Sequence, residues 1–338
     1  MQDIKKRARE RVKTKCKVCP VCNGVACAGD VPGMGGIGTG VSFQNNVKAL
    51  AALRLAMRVL HEANDPDCSA ELFGRKLSLP VLAAPVGNVP GNLGSDFSDK
   101  EYFDALLRGC REAGTIASLG DTPDLERFKS SVRQIGDYGH FVIPFIKPWA
   151  EEQVLQRMTA AKAAGCDMCG TDVDSAGLTI LRRAVPPVRV WSPKELASVI
   201  QKAHELGMKF IVKGVMTPDE AVIAADAGAD AVIVSNHGGR VLDHTPGAAE
   251  VLPSIADAVG NRVVVMMDGG IRTGADVLKA LALGAKTVLI CRPIVVIAHG
   301  DAQTGISKYF AQIRDELTQA MRLTGCANLG AITRRAVS

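Results

Sequence analysis

A chain of 338 residues is long enough to bury the core of one barrel-sized domain or of two ordinary domains. Its hydrophobic content of 47% and charged content of 22% are typical of a globular protein and exclude an intrinsically disordered one. The net charge is +5, but residues 1–17 contain eight Lys or Arg and only two acidic residues, so the remainder is nearly neutral. A nucleic-acid partner is therefore not expected.

Neither a membrane span nor an export signal is predicted. No apolar run approaches the ~20 residues of a membrane-spanning helix, and no signal peptide opens the chain. The ten cysteines are too sparse over this length for a disulfide scaffold. We expect a cytoplasmic protein with reduced thiols and no membrane partner.

Residues 1–67 are predicted to form an N-terminal extension with a solvated basic helix, a cysteine-rich segment and a glycine-rich segment. The cysteine-rich segment has the pattern C-x2-C-x2-C-x4-C, formed by Cys16, Cys19, Cys22 and Cys27. The first three cysteines have the spacing of a ferredoxin-type [4Fe–4S] run, although the spacing to the fourth is one residue longer and no proline follows it. Zinc also accepts four thiolates, and redox-active or inert thiols are a third interpretation.

The glycine-rich segment, residues 32–43, suggests backbone packed closely against a ligand or across the mouth of a domain. It lacks the strand–helix context of a dinucleotide-binding fingerprint. A flexible linker is the alternative interpretation.

From residue 80 onward a strand, a loop and a helix that ends at glycine recur, which places residues 68–338 in one domain. The predicted strands are near-continuous apolar runs, typical of parallel strands covered on both faces: 81–85, 115–118, 141–145, 168–171, 210–213, 231–235, 263–267 and 288–291. Capping signals at Ser192, Thr217 and Thr273 predict helix starts. Eight such units predict the α/β class and a (β/α)8 TIM barrel. The alternative, a doubly wound open sheet, normally carries a glycine fingerprint after its first strand, and none is present.

In such a barrel, chemistry is located on the loops that follow the strands, and phosphate binds near the ends of the last two strands. The seventh predicted strand ends in Asp268-Gly269-Gly270-Ile271-Arg272, and the eighth ends in Cys291-Arg292. Paired glycines let backbone N–H groups approach an anion, and arginines supply forked charged donors. This pattern predicts a phosphate site, with a simple tight turn as the alternative for the glycine pair.

The fifth and sixth predicted strands are followed by further candidate functional residues. His237 and Arg240 lie on a glycine-hinged loop, and a base beside a fixed cation suits removal of a proton from an acidic substrate. Lys213 ends the fifth strand, where a lysine needs either a carboxylate or an electron-rich ligand.

Several of these segments together are similar to the FMN-dependent 2-hydroxy acid oxidase and dehydrogenase family, which includes glycolate oxidase and lactate oxidase. The resemblance is carried by Lys213-Gly214-Val215, by residues 235–243, by residues 268–272 and by residues 276–285. It is dense over residues 209–294 and weaker over 68–120. It implies an FMN-binding barrel, a small 2-hydroxy acid substrate and, by analogy, a homo-oligomer.

The resemblance also implies individual roles. His237 would take the substrate hydroxyl proton, Arg240 would bind the substrate carboxylate, and Asp174 would stabilise the protonated histidine. Lys213 would lie against flavin N1 and O2. The remaining residues of the predicted cofactor site are Ala84, Pro85, Ser118, Ser235, Asp268, Gly269, Gly270, Arg272, Cys291 and Arg292.

The chain departs from the family pattern at the predicted substrate site. Relatives use two tyrosines there, but none of the three tyrosines of this chain matches, and Phe145 stands where one is expected. Ile143 stands where relatives carry a glutamine that contacts the flavin, and Cys291 stands where they carry glycine. We therefore expect Lys147, or Arg182 or Arg183, to assist Arg240 in binding substrate, with a plain surface position as the alternative interpretation of Lys147.

A cluster near FMN would pass electrons singly to a carrier protein, which would make the protein a dehydrogenase rather than an oxygen-using oxidase. Two alternatives stay open. One is an enzyme like the flavin-dependent isopentenyl diphosphate isomerases, and the other is a non-catalytic FMN-binding protein with a zinc-bound interaction module.

Overall fold

A computed structural model describes residues 1–12, 14–181 and 187–338. The helices of this part of the chain are α1 (Gln2–Arg11), α2 (Val41–Ala52), α3 (Val89–Leu93), α4 (Asp99–Ala113), α5 (Leu125–Arg133), α6 (Glu151–Ala163), α7 (Pro193–Glu205), α8 (Pro218–Asp226), α9 (Ala248–Val259), α10 (Gly274–Ala282), α11 (Arg292–Gly300) and α12 (Gly305–Thr324). The strands are β1 (Ala70–Leu72), β2 (Arg75–Leu77), β3 (Val81–Ala83), β4 (Ala117–Gly120), β5 (Val142–Ile146), β6 (Met168–Asp172), β7 (Lys209–Val215), β8 (Ala231–Val234), β9 (Val264–Asp268) and β10 (Thr287–Ile290).

Strands β3 to β10 form one parallel sheet that curls into a barrel. Strand β3 pairs with β10, with Val81 opposite Val288. The remaining gap between β3 and β4 is bridged by a hydrogen bond from the Ala83 N–H to the Ile116 carbonyl, at 3.1 Å, and by a parallel bridge between Val86 and Leu119. The predicted (β/α)8 barrel is confirmed, and the open doubly wound sheet was wrong.

All eight predicted strands are present, and in each of them one or both boundaries differ from the prediction by one or two residues. Strand β4 begins at Ala117 rather than at Thr115, because the Thr115 N–H still belongs to the end of α4 and donates to the Cys110 carbonyl. Ser192 and Thr273 form reciprocal capping boxes at the starts of α7 and α10, as predicted.

Apolar side chains fill the barrel interior, so the barrel is a packed core and not a pore. The β1–β2 hairpin contributes to the same cluster and closes the N-terminal end of the barrel. The interior cluster contains Leu72, Leu77, Leu82, Ile143, Phe145, Ile211, Ile233, Met266 and Leu289. A ligand can therefore reach the barrel axis only from the end where the strands terminate.

The N-terminal extension packs on the barrel. Helix α1 buries Ile4 and Ala8 against α11, so only its basic face is exposed, and a Cβ on Gly300 would lie 2.0 Å from the Ile4 carbonyl oxygen. The glycine-rich segment contacts the loop after β8, where the Ile37 N–H donates to the Gly239 carbonyl at 2.8 Å. The predicted boundary between residues 67 and 68 stays a prediction.

Among the described residues, no helix combines the length and the apolarity needed to cross a membrane. The cytoplasmic location stays a prediction.

Candidate active site

A cleft of about 1420 Å³, including its open mouth, lies where the barrel strands end. Most of the residues predicted from the sequence line this cleft. They are Ala84, Pro85, Lys147, Lys213, His237, Arg240, Asp268, Gly269, Gly270, Arg272, Cys291 and Arg292. The fold therefore brings together side chains that are up to about two hundred positions apart in the sequence.

His237 begins three successive residues with left-handed backbone, at φ values of 56°, 64° and 78°. Its N–H donates to the Ser235 Oγ atom at 3.1 Å, which fixes the start of the turn. A Cβ on Gly239 would lie 2.3 Å from the Phe43 nitrogen, so only glycine lets helix α2 approach this loop. The glycines thus position His237 and also allow the N-terminal extension to dock.

The imidazole of His237 contacts two carboxylates. Its Nδ1 atom lies 3.0 Å from Asp174 Oδ1 and 3.8 Å from Asp172 Oδ2. Burial lowers the pKa of His237 well below its ordinary value, Lys213 and Lys147 lower it further, and Asp172 opposes them. The imidazole is consequently neutral near pH 7, with Nε2 free to accept a proton, while Asp174 is placed to stabilise the charged form.

Lys147 forms an ion pair with Asp172 inside the cleft, and the two side chains are only 12% and 3% exposed. Phe145, two residues earlier, turns into the barrel interior and supplies no hydrogen-bonding group. The ammonium group of Lys147 therefore places a hydrogen-bond donor beside His237, whereas the side chain of Phe145 cannot donate a hydrogen bond. Arg182 and Arg183, the other predicted helpers, lie outside the described residues.

Lys213 is almost fully buried at the end of β7. Its Nζ atom donates to Ser235 Oγ at 3.1 Å and lies 3.5 Å from Asp268 Oδ2. Burial alone would lower the pKa of Lys213, but Asp268, Asp174 and Asp172 together raise it, so the ammonium stays charged. The predicted need for a carboxylate partner is met.

Arg240 has no acidic partner within 4.0 Å among the described residues. One Nη atom donates to Asn92 Oδ1 at 2.9 Å, and the Nε atom is buried without any partner. Burial and the neighbouring Arg292 lower the pKa of Arg240 to about 10, so the guanidinium remains charged at neutral pH. A cation in this state is suited to an anionic ligand.

The two arginines predicted to bind phosphate are held by the N-terminal extension. Arg272 donates to the Cys22 carbonyl from two nitrogens, at 3.3 and 3.2 Å. Arg292 donates to the Met34 carbonyl at 2.7 Å and to the Gly238 carbonyl at 2.8 Å, and its guanidinium lies 3.7 Å from the centre of the Phe43 ring. Carbonyl groups do not neutralise these charges, so both arginines remain available to an anion in the cleft.

Gly269 and Gly270 have φ values of 99° and 85°. A Cβ on Gly270 would lie 2.3 Å from the Asn46 carbonyl oxygen, so the glycine pair is also required where α2 packs on this loop. The pair was predicted only for anion binding or for a turn.

Three predicted residues lie outside the lining of the cleft. Ser118 is below it in β4 with its Oγ buried and unpartnered, and Gly120 and Asp121 line the cleft instead. Ser235 supports Lys213 and His237 from behind. Asp174 contacts the imidazole of His237.

The sequence analysis missed Asn92, Asp172 and Asn46. Asn92 lies in the short helix α3, which has no periodic signal, and it contacts Arg240. Asn46 donates to Asn236 Oδ1 at 2.7 Å through a contact between distant parts of the chain. Asp172, by contrast, directly follows the predicted strand 168–171, two residues before Asp174, and this position could have identified it.

Asp172, Asp174 and His237 form a group of possible metal ligands, with ligand atoms within 4.8 Å of one another. The ion pair with Lys147 already supplies a cation to Asp172, so the group fits a proton-transfer site better than a metal site. The cysteines Cys16, Cys19, Cys22 and Cys27 are free thiols and form no such compact group.

Residues 33–199 and 179–338 match a protein family described as FMN-dependent dehydrogenase. The chain belongs to this family. A 4-hydroxymandelate oxidase from Amycolatopsis orientalis is 31% identical over 330 residues, with 89% of this chain and 90% of that protein covered. An L-lactate oxidase from Lacticaseibacillus rhamnosus is 31% identical over 331 residues, with 88% and 86% covered. A crystal structure of a mandelate oxidase superposes with a TM-score of 0.81 at 26% identity, covering 100% of this chain and 97% of the other.

As a member of the FMN-dependent dehydrogenase family the protein is a flavin-dependent oxidoreductase, which confirms the resemblance and the cofactor predicted from the sequence. The cleft fits FMN on its own evidence. Several buried polar atoms of cleft residues have no hydrogen-bond partner in the part of the chain that the structure describes, among them Asp172 Oδ1, Asp268 Oδ1 and Arg240 Nε. Such atoms are costly to leave unsatisfied, and a polar ligand in the cleft would satisfy them.

Proposed function

We propose that this FMN-dependent dehydrogenase oxidises a 2-hydroxy carboxylate to the 2-oxo acid, with His237 as the base. The observation that carries the proposal is the pairing of His237 with Asp174 at 3.0 Å beside Arg240, a buried cation without an acidic partner. A base and an unpaired cation in one cleft match the hydroxyl proton and the carboxylate of such a substrate. The relatives named above as mandelate and lactate oxidases support this substrate class.

The proton moves between atoms of this chain and the substrate. The substrate hydroxyl donates to the free Nε2 atom of neutral His237, while Nδ1–H donates to Asp174. As the imidazole becomes charged, the Asp174 carboxylate stabilises it, and the oxygen left on the substrate becomes the new carbonyl. Bound FMN would accept the α-hydrogen with its two electrons as a hydride equivalent.

Several residues orient the substrate and the cofactor. Arg240, held by Asn92, would bind the substrate carboxylate, and Lys147 would donate to a substrate oxygen in place of the absent tyrosine hydroxyl. Lys213 would stabilise negative charge that develops on the flavin ring. Arg272, Arg292 and the backbone around Gly269 and Gly270 would hold the phosphate.

The predicted transfer of electrons through a Cys-ligated cluster is the second part of the proposal. It is supported by the contact between Arg272, which lines the cleft, and Cys22 in the cysteine-rich segment. An electron-carrier protein would then replace oxygen as the acceptor. The carrier and the homo-oligomer stay predictions.

Anaerobic stopped-flow absorbance with a panel of D- and L-2-hydroxy acids tests the catalytic part. We expect at least one member to bleach the yellow enzyme, and His237→Gln to retain FMN but bleach ~10²–10⁴-fold more slowly. His244→Gln is the matched control, because His244 lies on the same loop with a side chain that is 74% exposed. Wild-type bleaching in His237→Gln would remove the base assignment.

The same experiment separates the two alternatives. Flavin that no hydroxy acid bleaches would overturn the oxidation of a 2-hydroxy carboxylate. Conversion of isopentenyl diphosphate by the reduced enzyme would then support the isomerase, and flavin inert to both would support a non-catalytic binding protein.

A further inference from the structure

The four cysteines of the N-terminal extension lie within twelve residues of the sequence, beside the cleft. All four side chains belong to half-buried residues, and none of the four forms a disulfide. The segment therefore offers four free thiols at the edge of the cofactor site.

The backbone between the first two cysteines forms a constrained turn. Val18 is 2% exposed and has a φ of 43°, a left-handed conformation that is an outlier for a β-branched residue. The Val18 carbonyl accepts from Arg9 of α1 at 3.0 Å, so the basic helix holds the turn in place. The fold therefore fixes the backbone that carries Cys16 and Cys19.

Arg272 links this segment to the cleft. Its guanidinium donates to the Cys22 carbonyl, and one nitrogen lies 3.6 Å from the Cys22 sulfur. Arg272 also lines the predicted phosphate end of the cleft. One side chain therefore contacts both a cysteine of the segment and the predicted cofactor site.

The spacing of the sulfurs favours a cluster over a single ion. Tetrahedral zinc with Zn–S bonds of ~2.3 Å requires four sulfurs within ~3.8 Å of one another. No three of these four sulfurs lie within 4.8 Å of one another in the described structure. A four-iron cube binds each thiolate at a different corner and therefore needs a wider arrangement, and two of the three spacings in the sequence are those of such sites.

We propose that Cys16, Cys19, Cys22 and Cys27 ligate one [4Fe–4S] cluster, and that Arg272 is the positioning residue that couples the cluster to the phosphate end of the cleft. This inference deepens the electron-transfer part of the proposed function and rests on it. Each substrate oxidised supplies two electrons. The cluster would accept one electron at a time and pass it to a one-electron carrier protein, so two carriers are reduced per turnover. Two protons are released: the hydroxyl proton leaves His237 for solvent, and the α-hydrogen, taken up by the flavin as a hydride equivalent, leaves as a proton once its two electrons have been passed on.

Iron and acid-labile sulfide analysis of the anaerobically purified full-length protein tests the site. We expect about four of each per chain, and an electron paramagnetic resonance signal after dithionite reduction. The double variant Cys19→Ser/Cys22→Ser should lose the signal and most of the iron. Cys68→Ser, at a buried cysteine outside the segment, should keep both.

Absence of iron and sulfide after anaerobic reconstitution with ferrous iron and sulfide would overturn the cluster. Equal iron content in the double variant, or one zinc ion bound in place of iron, would also overturn it. Substrate-dependent flavin bleaching is a separate measurement. Bleaching in a protein without a cluster would support the oxidation of a hydroxy acid and remove the cluster. A cluster in a protein whose flavin no hydroxy acid bleaches would support the cluster and remove the oxidation.

The role of Arg272 has its own measurement. Arg272→Gln removes a positive charge beside the Cys22 sulfur, so the reduction potential of the cluster should fall in a potentiometric titration. Arg322→Gln, an exposed arginine on α12, should leave the potential unchanged. An unchanged potential in Arg272→Gln would overturn the coupling.

Discussion

Lys147 is ion-paired with Asp172 in the cleft, and both groups act on the charge of His237. Lys147 lowers the pKa of His237, and Asp172 raises it. The variant Lys147→Met removes only the first effect, so the pKa of His237 should rise. Because the base must be neutral, the acid limb of the kcat/KM profile should move to higher pH.

The pH profile of kcat/KM measures this shift. The wild-type acid limb should lie below the ordinary histidine pKa of ~6.5. Lys202→Met serves as control, because Lys202 pairs with Glu151 at 3.4 Å on the surface. An acid limb that stays in place in Lys147→Met would show that this lysine does not tune the base.

Asp174→Asn tests the carboxylate that contacts His237 at 3.0 Å. An amide neither stabilises the imidazolium nor fixes the proton on Nδ1, so kcat should fall on the order of 10²-fold or more with FMN still bound. Single-turnover flavin reduction is the measurement. Asp226→Asn, in an exposed ion pair with Arg262, should react at the wild-type rate. Normal reduction in Asp174→Asn would assign the stabilising role to Asp172.

Arg240→Met removes the cation proposed to bind the substrate carboxylate. Truncation of one partner in a buried charge pair costs ~2–5 kcal/mol, so kcat/KM should fall on the order of 10²-fold, mainly through KM. Arg240→Lys keeps the charge but loses the forked geometry, so its kcat/KM should lie between that of the wild type and that of Arg240→Met. A KM unchanged in Arg240→Met would contradict this role.

Gly239→Ala tests the docking of α2 on the His237 loop. The new Cβ would meet the Phe43 nitrogen at 2.3 Å, at a φ of 78°. Gly74→Ala is the matched control, because Gly74 has a φ of 77° and open space where its Cβ would be. Urea unfolding should show Gly239→Ala less stable than Gly74→Ala by ~1–3 kcal/mol or more. Equal stability would mean that the loop and α2 separate at little cost.

The barrel could be predicted because each strand is buried on both faces and appears as a short apolar run. The candidate functional loops after the strands could be predicted because the residue types themselves indicate chemistry: His237 is a base, Arg240 is a fixed cation, and paired glycines allow backbone N–H groups to approach an anion. Contacts made by backbone carbonyls carry no such signature, so the roles of Cys22 and Met34 in holding Arg272 and Arg292 were not foreseen. Asn92 was missed for a related reason, since an asparagine in a five-residue helix resembles any loop residue.

The docking of the N-terminal extension has a consequence for biosynthesis. The Met34 carbonyl accepts from Arg292, a residue that is translated after all eight barrel strands. A ribosome that has made only the first half of this sequence has produced an extension without its binding surface, and the pocket is complete only after β10 has emerged. Tight binding of flavin should therefore await the synthesis of the last barrel strand.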